Sequence, residues 1–298
     1  MHRAATSSAF LLLLIPLILA DASPDINSLS YRGGFIAAEL EERGLRWVNL
    51  YNEEMRLLWS SSKARFVEFN WSSSGAIAVR LCDGPCYNVN WQRVQVYDPS
   101  TGNSWNSSEA RFVRFQWSSY GKLAVVLWLS PCPDYSKHWM ELYDPSSDQS
   151  WMTDYRGFVY AQWSPLGEIA AVVRDEDGYH LEVLDDQLNL RWSSPPAQVV
   201  DFKWSTDGKL IVKLEINGTN VLLLRYGDSV EELARGGEIH YAWSDDGNLV
   251  YSVGGEIRSL RFSHPPGWMV VLLVGAALII SAMVARFRRS SEGAQENK

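Results

Sequence analysis

Two rows of polar residues recur ahead of a repeated tryptophan, and their side chains are the ones best suited to chemistry. Three positions before Trp71, Trp117, Trp163, Trp204 and Trp243 stand Glu68, Arg114, Tyr160, Asp201 and His240. One position before the same tryptophans stand Asn70, Gln116, Gln162, Lys203 and Ala242. Both rows alternate with apolar neighbours, so each marks one face of a strand. Such a face can bind a polar ligand, or, with Glu68 and Asp201 as acid and base, break a bond. It can also satisfy itself, for instance by pairing Glu68 with Arg114, because charges drawn out of water are normally paired.

Motif chemistry is otherwise sparse. The chain has no G-x-S-x-G elbow, no H-E-x-x-H helix and no Walker loop, so no catalytic residue and no cofactor is assigned. His138, His180, His240 and His264 fall in different segments, and no histidine lies at ligand spacing from a cysteine, so no metal is expected. Asp175-Glu176-Asp177-Gly178 superficially suggests a calcium loop, but it lacks the full ligand series and has the form of a polar hairpin turn.

The elements that position these residues are repeats. WSSSG at 71–75, WSSYG at 117–121, WSPLG at 163–167, WSTDG at 204–208 and WSDDG at 243–247 follow one another at steps of 46, 46, 41 and 39 residues. A worn copy, Leu29-Ser30-Tyr31-Arg32-Gly33, precedes them with Leu29 in the place of the tryptophan. An alternating strand runs into each motif, the S-x-x-G tetrad turns the chain, and a second β-rich run follows. A third run ends at Tyr97-Asp98-Pro99 or Tyr143-Asp144-Pro145, and a short outer strand then carries Trp59, Trp105, Trp151 or Trp192. Four strands per period of about 40 to 45 residues make a propeller blade, and a blade cannot bury both faces alone. The expected fold is all-β: a β-propeller of about six four-stranded blades, with five to seven as the range, plus one C-terminal transmembrane helix. Residues near Asp25 to Leu29 are expected to help complete the ring.

The repeat WS-x-D-G followed by an apolar pair, as in Trp204 to Ile211, resembles the TolB-type propeller repeat, also found in the N-terminal propellers of dipeptidyl-peptidase-like proteins. The resemblance covers five good copies and one worn copy. It implies a six-bladed ring that serves as a binding platform. No hydrolase domain follows the propeller here.

The remaining segments set a location. Residues 1–22 read as a signal peptide: His2 and Arg3, an apolar run from Ala9 to Ala20, then the small-x-small pattern Ala20-Asp21-Ala22. The propeller is assigned to 23–263 and a stiff linker containing Pro265-Pro266 to 264–267. Residues 268–285 carry no charge and span about 27 Å as a helix, enough to cross a bilayer. Arg286, Arg288 and Arg289 open the tail 286–298, so the positive-inside rule places that tail in the cytoplasm and the propeller outside. Between 23 and 266 acidic residues number 32 and basic residues 22, a balance of −10. That charge argues against nucleic acid and against broad docking on anionic lipid.

Three cysteines in an exported domain suggest one disulfide, with Cys86–Cys132 and Cys82–Cys86 as the pairings considered. Asn217-Gly218-Thr219 at a hairpin tip is the best glycan acceptor, Asn106 is second, and Asn70 beside a core tryptophan is the poorest. Nine tryptophans belong to the two repeat sets; Trp47, Trp91, Trp128 and Trp139 do not, and offer aromatic surface for recognition. The leading expectation is a single-pass type I membrane protein whose propeller is an interaction or accessory module for a membrane or cell-surface protein. A polar peptide or a carbohydrate is the ligand considered, and the C-terminal helix is the contact with lipid. The alternatives are a hydrolase or lyase using channel carboxylates, and a carbohydrate-binding receptor using Trp91 or Trp139.

Overall fold

The computed structural model describes residues 24–84, 91–129 and 137–262. The strands form antiparallel meanders, each pairing with its sequence neighbour, as short turns between strands dictate. The first sheet holds β1 (Asp25–Arg32), β2 (Phe35–Glu42), β3 (Leu45–Asn52) and β4 (Leu57–Ser60). The second holds β5 (Phe66–Trp71), β6 (Ile77–Cys82), β7 (Gln92–Tyr97) and β8 (Ser104–Asn106). The third holds β9 (Phe112–Trp117), β10 (Leu123–Trp128), β11 (His138–Asp144) and β12 (Gln149–Met152). The fourth holds β13 (Phe158–Trp163), β14 (Ile169–Asp175), β15 (Gly178–Leu184) and β16 (Leu190–Ser193). The fifth holds β17 (Val199–Trp204), β18 (Leu210–Ile216), β19 (Thr219–Tyr226) and β20 (Ser229–Gly236), and a three-stranded sheet follows with β21 (Ile239–Trp243), β22 (Leu249–Val253) and β23 (Glu256–Leu260).

The described residues divide into two compact units, 24–240 with 253–255, and 241–252 with 256–262. Within the first unit consecutive sheets bury their faces against one another. Val48 and Leu50 pack with Val67 and Val79; Val94 and Val96 with Val113 and Val125. Met140 and Leu142 meet Phe158 and Ala171, and Leu181 and Val183 meet Phe202 and Val212. Four-stranded meanders packed face to face in sequence order are propeller blades. In the second unit Trp243 meets Phe262 at a centroid distance of 6.1 Å.

The WS-x-x-G motif is turn chemistry throughout. The hydroxyls of Ser72, Ser118, Ser164, Ser205 and Ser244 each accept the amide four residues on, at 2.7 to 3.0 Å. Each closing glycine has positive φ, from 75° to 95°, where a side chain is disfavoured. In the third and fourth blades the tryptophan ties the blade to the one before it: the Trp117 indole donates to the Asn70 carbonyl and the Trp163 indole to the Gln116 carbonyl, both at 3.1 Å. On the outer strands Trp59 stacks on Tyr97 and Trp105 on Tyr143, at 5.6 and 5.1 Å between centroids.

Three expectations are corrected. Asp25–Arg32 pairs with β2 and is the inner strand of its own sheet, so it does not serve to complete another; the three-stranded sheet contains only β21, β22 and β23 among the described residues. The worn first copy is offset by two residues. Trp71 donates its indole N–H to Ser30 Oγ at 2.9 Å, so Ser30 stands where Asn70 and Gln116 stand, and Tyr31, not Leu29, is the counterpart of the tryptophan. Gly33-Gly34 there forms a two-residue hairpin instead of the S-x-x-G turn. Finally, Glu68 pairs with its cross-strand neighbour Arg80 and not with Arg114.

The signal segment 1–22, the linker 264–267, the apolar stretch 268–285 and the tail 286–298 lie outside the described residues, as do Cys86 and Cys132. Among the described residues no helix is long and apolar enough to cross a membrane.

Candidate functional site

The period-two alternation of the inner strands exposes both polar rows. Apolar Val113 and partly buried Phe115 turn into the blade packing, which leaves Arg114 and Gln116 in solvent. Glu68, Asn70, Asp201, Lys203 and His240 are likewise exposed, Tyr160 is 43% exposed and Gln162 is half-buried.

The structure brings four of these candidates together. Arg114 and Gln116 from β9 and Tyr160 and Gln162 from β13 line a cavity of about 250 Å³ between the third and fourth blades. Its apolar walls include Trp128, Val126 and Ile169, and Trp163 closes it beside Gln116. The Arg114 guanidinium lies over the Trp128 ring at 5.3 Å, a cation–π contact that holds it without consuming its hydrogen-bond donors. Both indoles are already committed, Trp128 to the Phe158 carbonyl at 2.9 Å and Trp163 to that of Gln116. Arg114 is the one charged residue in the lining, which contains no carboxylate. The cavity can therefore take an apolar group carrying a negative charge or hydrogen-bonding atoms.

The other candidates stand apart from it. Glu68 is engaged by Arg80, which also donates to the Val113 carbonyl of the next blade at 3.0 Å. Asp201 lies cross-strand from Lys213, and His240 contacts Glu238 at 2.9 Å on the surface. Cys82 is a buried free thiol whose Sγ donates to the Gly84 carbonyl at 2.9 Å; Cys86, its considered partner, lies outside the described residues. Asn217 is exposed at the tip of the β18–β19 hairpin with φ of 52°. Asn106 accepts from Gln95 at 2.8 Å, while Ser72 of the Asn70 triplet is fully buried. Trp139 is buried in the core with its indole N–H donated to Glu141, whereas Trp91 is 48% exposed. Trp47 is buried beneath Lys63, so of the four tryptophans outside the repeat sets only Trp128 joins the cavity. Among the described residues no group of three or more His, Cys, Asp or Glu side chains is placed to hold a metal.

Asp175-Glu176-Asp177-Gly178 is the β14–β15 hairpin turn, with the Asp177 amide donating to Asp175 Oδ1 at 3.0 Å. Beside it His180 lies 3.2 Å from Asp175 and 3.4 Å from Glu182, with a carboxylate at each ring nitrogen. The Glu182 hydrogen bond raises the imidazole pKa from its ordinary 6.5, against the opposing effect of burial. Burial works to raise the Glu182 pKa, but His180 and Arg156 outweigh it and hold the carboxyl below the usual range. Because the folded imidazole binds its proton more tightly, its stabilisation is complete below pH 6.5 and lost as pH rises through the folded value. Melting temperature is therefore expected to fall on that rise. His180→Asn should flatten that limb; an unchanged profile would contradict this assignment.

Sequence reasoning missed a second hydroxyl repeat, two residues after each outer-strand tryptophan. Ser61, Ser107, Thr153 and Ser194 accept the amides of Val48, Val94, Met140 and Leu181 at 2.9 to 3.0 Å. The signal W-x-[ST] was present at 59–61, 105–107, 151–153 and 192–194.

No protein-family model and no curated protein sequence matches this chain. Solved structures do resemble it. A eukaryotic initiation factor structure is 14% identical over 78% of this chain and 65% of its own, with a TM-score of 0.47, so this chain spans about two thirds of it. The β-propeller domain of the Trilobed protease from Pyrococcus furiosus is 15% identical over 80% of this chain and 84% of its own, with a TM-score of 0.40. Porphyromonas gingivalis dipeptidyl peptidase 4 is 9% identical over 78% of this chain and 42% of its own, with a TM-score of 0.46. The assignment of a β-propeller rests on the strand pairing and blade packing described above.

Proposed function

We propose that this chain is a non-enzymatic propeller that binds another membrane or cell-surface protein through the cavity between its third and fourth blades. The observation that carries this is the convergence of Arg114, Gln116, Tyr160 and Gln162 on one apolar-walled recess. The resemblance of the WS-x-x-G copies to TolB-type repeats agrees with a binding platform. The charge-free run at 268–285 followed by arginines supports an anchored, extracytoplasmic placement. A hydrolase or lyase worked by Glu68 and Asp201 is less favoured, because Arg80 occupies the Glu68 carboxylate.

The test is affinity purification of the full chain in mild detergent, with mass spectrometry of what accompanies it. Wild type is expected to retain a membrane or surface protein that Arg114→Ala loses at an unchanged melting temperature. Identical partners for both would overturn the proposal. Extracytoplasmic placement has its own check in a eukaryotic host. Endoglycosidase treatment is expected to lower the mass of the chain, and Asn217→Gln to remove that shift; a mass equal to the bare chain would contradict it.

A further inference from the structure

We propose that the cavity recognises the C-terminal carboxylate of an extended peptide whose last side chain is apolar; this deepens the binding function above and rests on it.

Charge comes first. Arg114 is the one charged group in the lining and has no carboxylate partner among the described residues; its recorded contact is the Trp128 ring. A guanidinium resting on an aromatic face is oriented while its N–H fork remains available, and that fork matches a carboxylate in two parallel hydrogen bonds. The domain as a whole carries more acidic than basic residues, yet this recess is lined by a cation and no carboxylate.

Val126, Ile169 and the faces of Trp128 and Trp163 are apolar, and about 250 Å³ lies below the roughly 300 to 1,000 Å³ of pockets that hold drug-sized ligands. One residue fits, and a folded element does not. The side chains of Gln116, Gln162 and Tyr160 carry no hydrogen-bond partner among the described residues, so donors and acceptors remain for a terminal amide and its neighbour. A peptide, as opposed to a free acid, is favoured because the exposed polar rows continue beyond the cavity, through Asn70 on β5 and Asp201 on β17, and offer contacts to the preceding residues.

The experiment measures binding of labelled hexapeptide pools to the full chain in mild detergent. The pools are randomised at five positions and end in leucine, valine or phenylalanine, either as free carboxylates or as amides. N-acetylleucine serves as the free-acid probe. The carboxylate pool is expected to bind at least about tenfold more tightly than the amide pool, the scale of one charge-assisted hydrogen bond. Arg114→Ala should abolish that preference and Arg114→Lys should retain part of it, with melting curves confirming that both variants fold. Equal binding of acid and amide, or a preference unaffected by Arg114→Ala, would overturn the inference. So would failure of every pool to bind, or N-acetylleucine binding as tightly as the hexapeptides, the signature of a small free acid. If the peptides fail while Arg114→Ala still loses its membrane partner, the terminus specificity falls and the binding function stands.

Discussion

Glu168→Ala is expected to destabilise the chain by about 3 kcal/mol or more, because it strands a buried guanidinium. Arg225 on β19 donates to both Glu168 oxygens, each at 2.9 Å, with its side chain only 4% exposed against 28% for Glu168. The pair joins the fourth blade to the fifth. Removing the carboxylate leaves the charge without water or partner, a cost larger than the net worth of the intact pair. At 2 to 4 °C per kcal/mol, the melting temperature should fall by roughly 6 to 12 °C. Glu168→Ala combined with Arg225→Met should recover most of that loss, since an apolar side chain fills the same space without charge. A single variant that melts within about 1 °C of wild type would contradict this account of the interface.

Gly178→Ala is expected to cost about 3 kcal/mol for a different reason. Gly178 closes the Asp175–Gly178 turn with φ of 130°, a region almost confined to glycine, and a Cβ there would lie 2.7 Å from the Ala197 carbonyl oxygen. That oxygen cannot retreat: it accepts the Tyr179 amide at 2.8 Å, and the Ala197 amide returns a bond to Tyr179 at 2.7 Å. Backbone strain and a clash with pinned backbone therefore add. Gly218→Ala is the control. Its φ is 74° but a Cβ meets nothing within 4 Å, so only the strain of about 1 kcal/mol remains. Denaturation midpoints compare the two directly, and equal losses would show that the Ala197 contact does not matter.

The blades were legible because their information is local. The alternation before each tryptophan, the S-x-x-G turn and the outer-strand tryptophan all lie within one period, and strand pairing between sequence neighbours follows from short turns. What escaped lies between periods. Arg80 instead of Arg114 as the partner of Glu68 depends on cross-strand register, and Glu168 with Arg225 spans 57 residues and two blades. The first blade was misaligned because Gly33-Gly34 shortens the turn, which moves the counterpart of the tryptophan from Leu29 to Tyr31. The cavity was half legible: alternation picked Arg114, Gln116, Tyr160 and Gln162 as exposed polar positions. Nothing in the order of residues distinguished them from Glu68 and Asp201 until Trp128 and the neighbouring strand closed a wall behind them.

We propose the recess between the third and fourth blades as the working surface. Site-specific photocrosslinking in the full chain tests it most directly, with a benzophenone amino acid at Tyr160, which is 43% exposed at the cavity, and in a second variant at Leu190, 50% exposed on the outer strand β16. A partner captured from Tyr160 and absent from Leu190 is the predicted result. Capture from Leu190 alone, or equally from both, would contradict it.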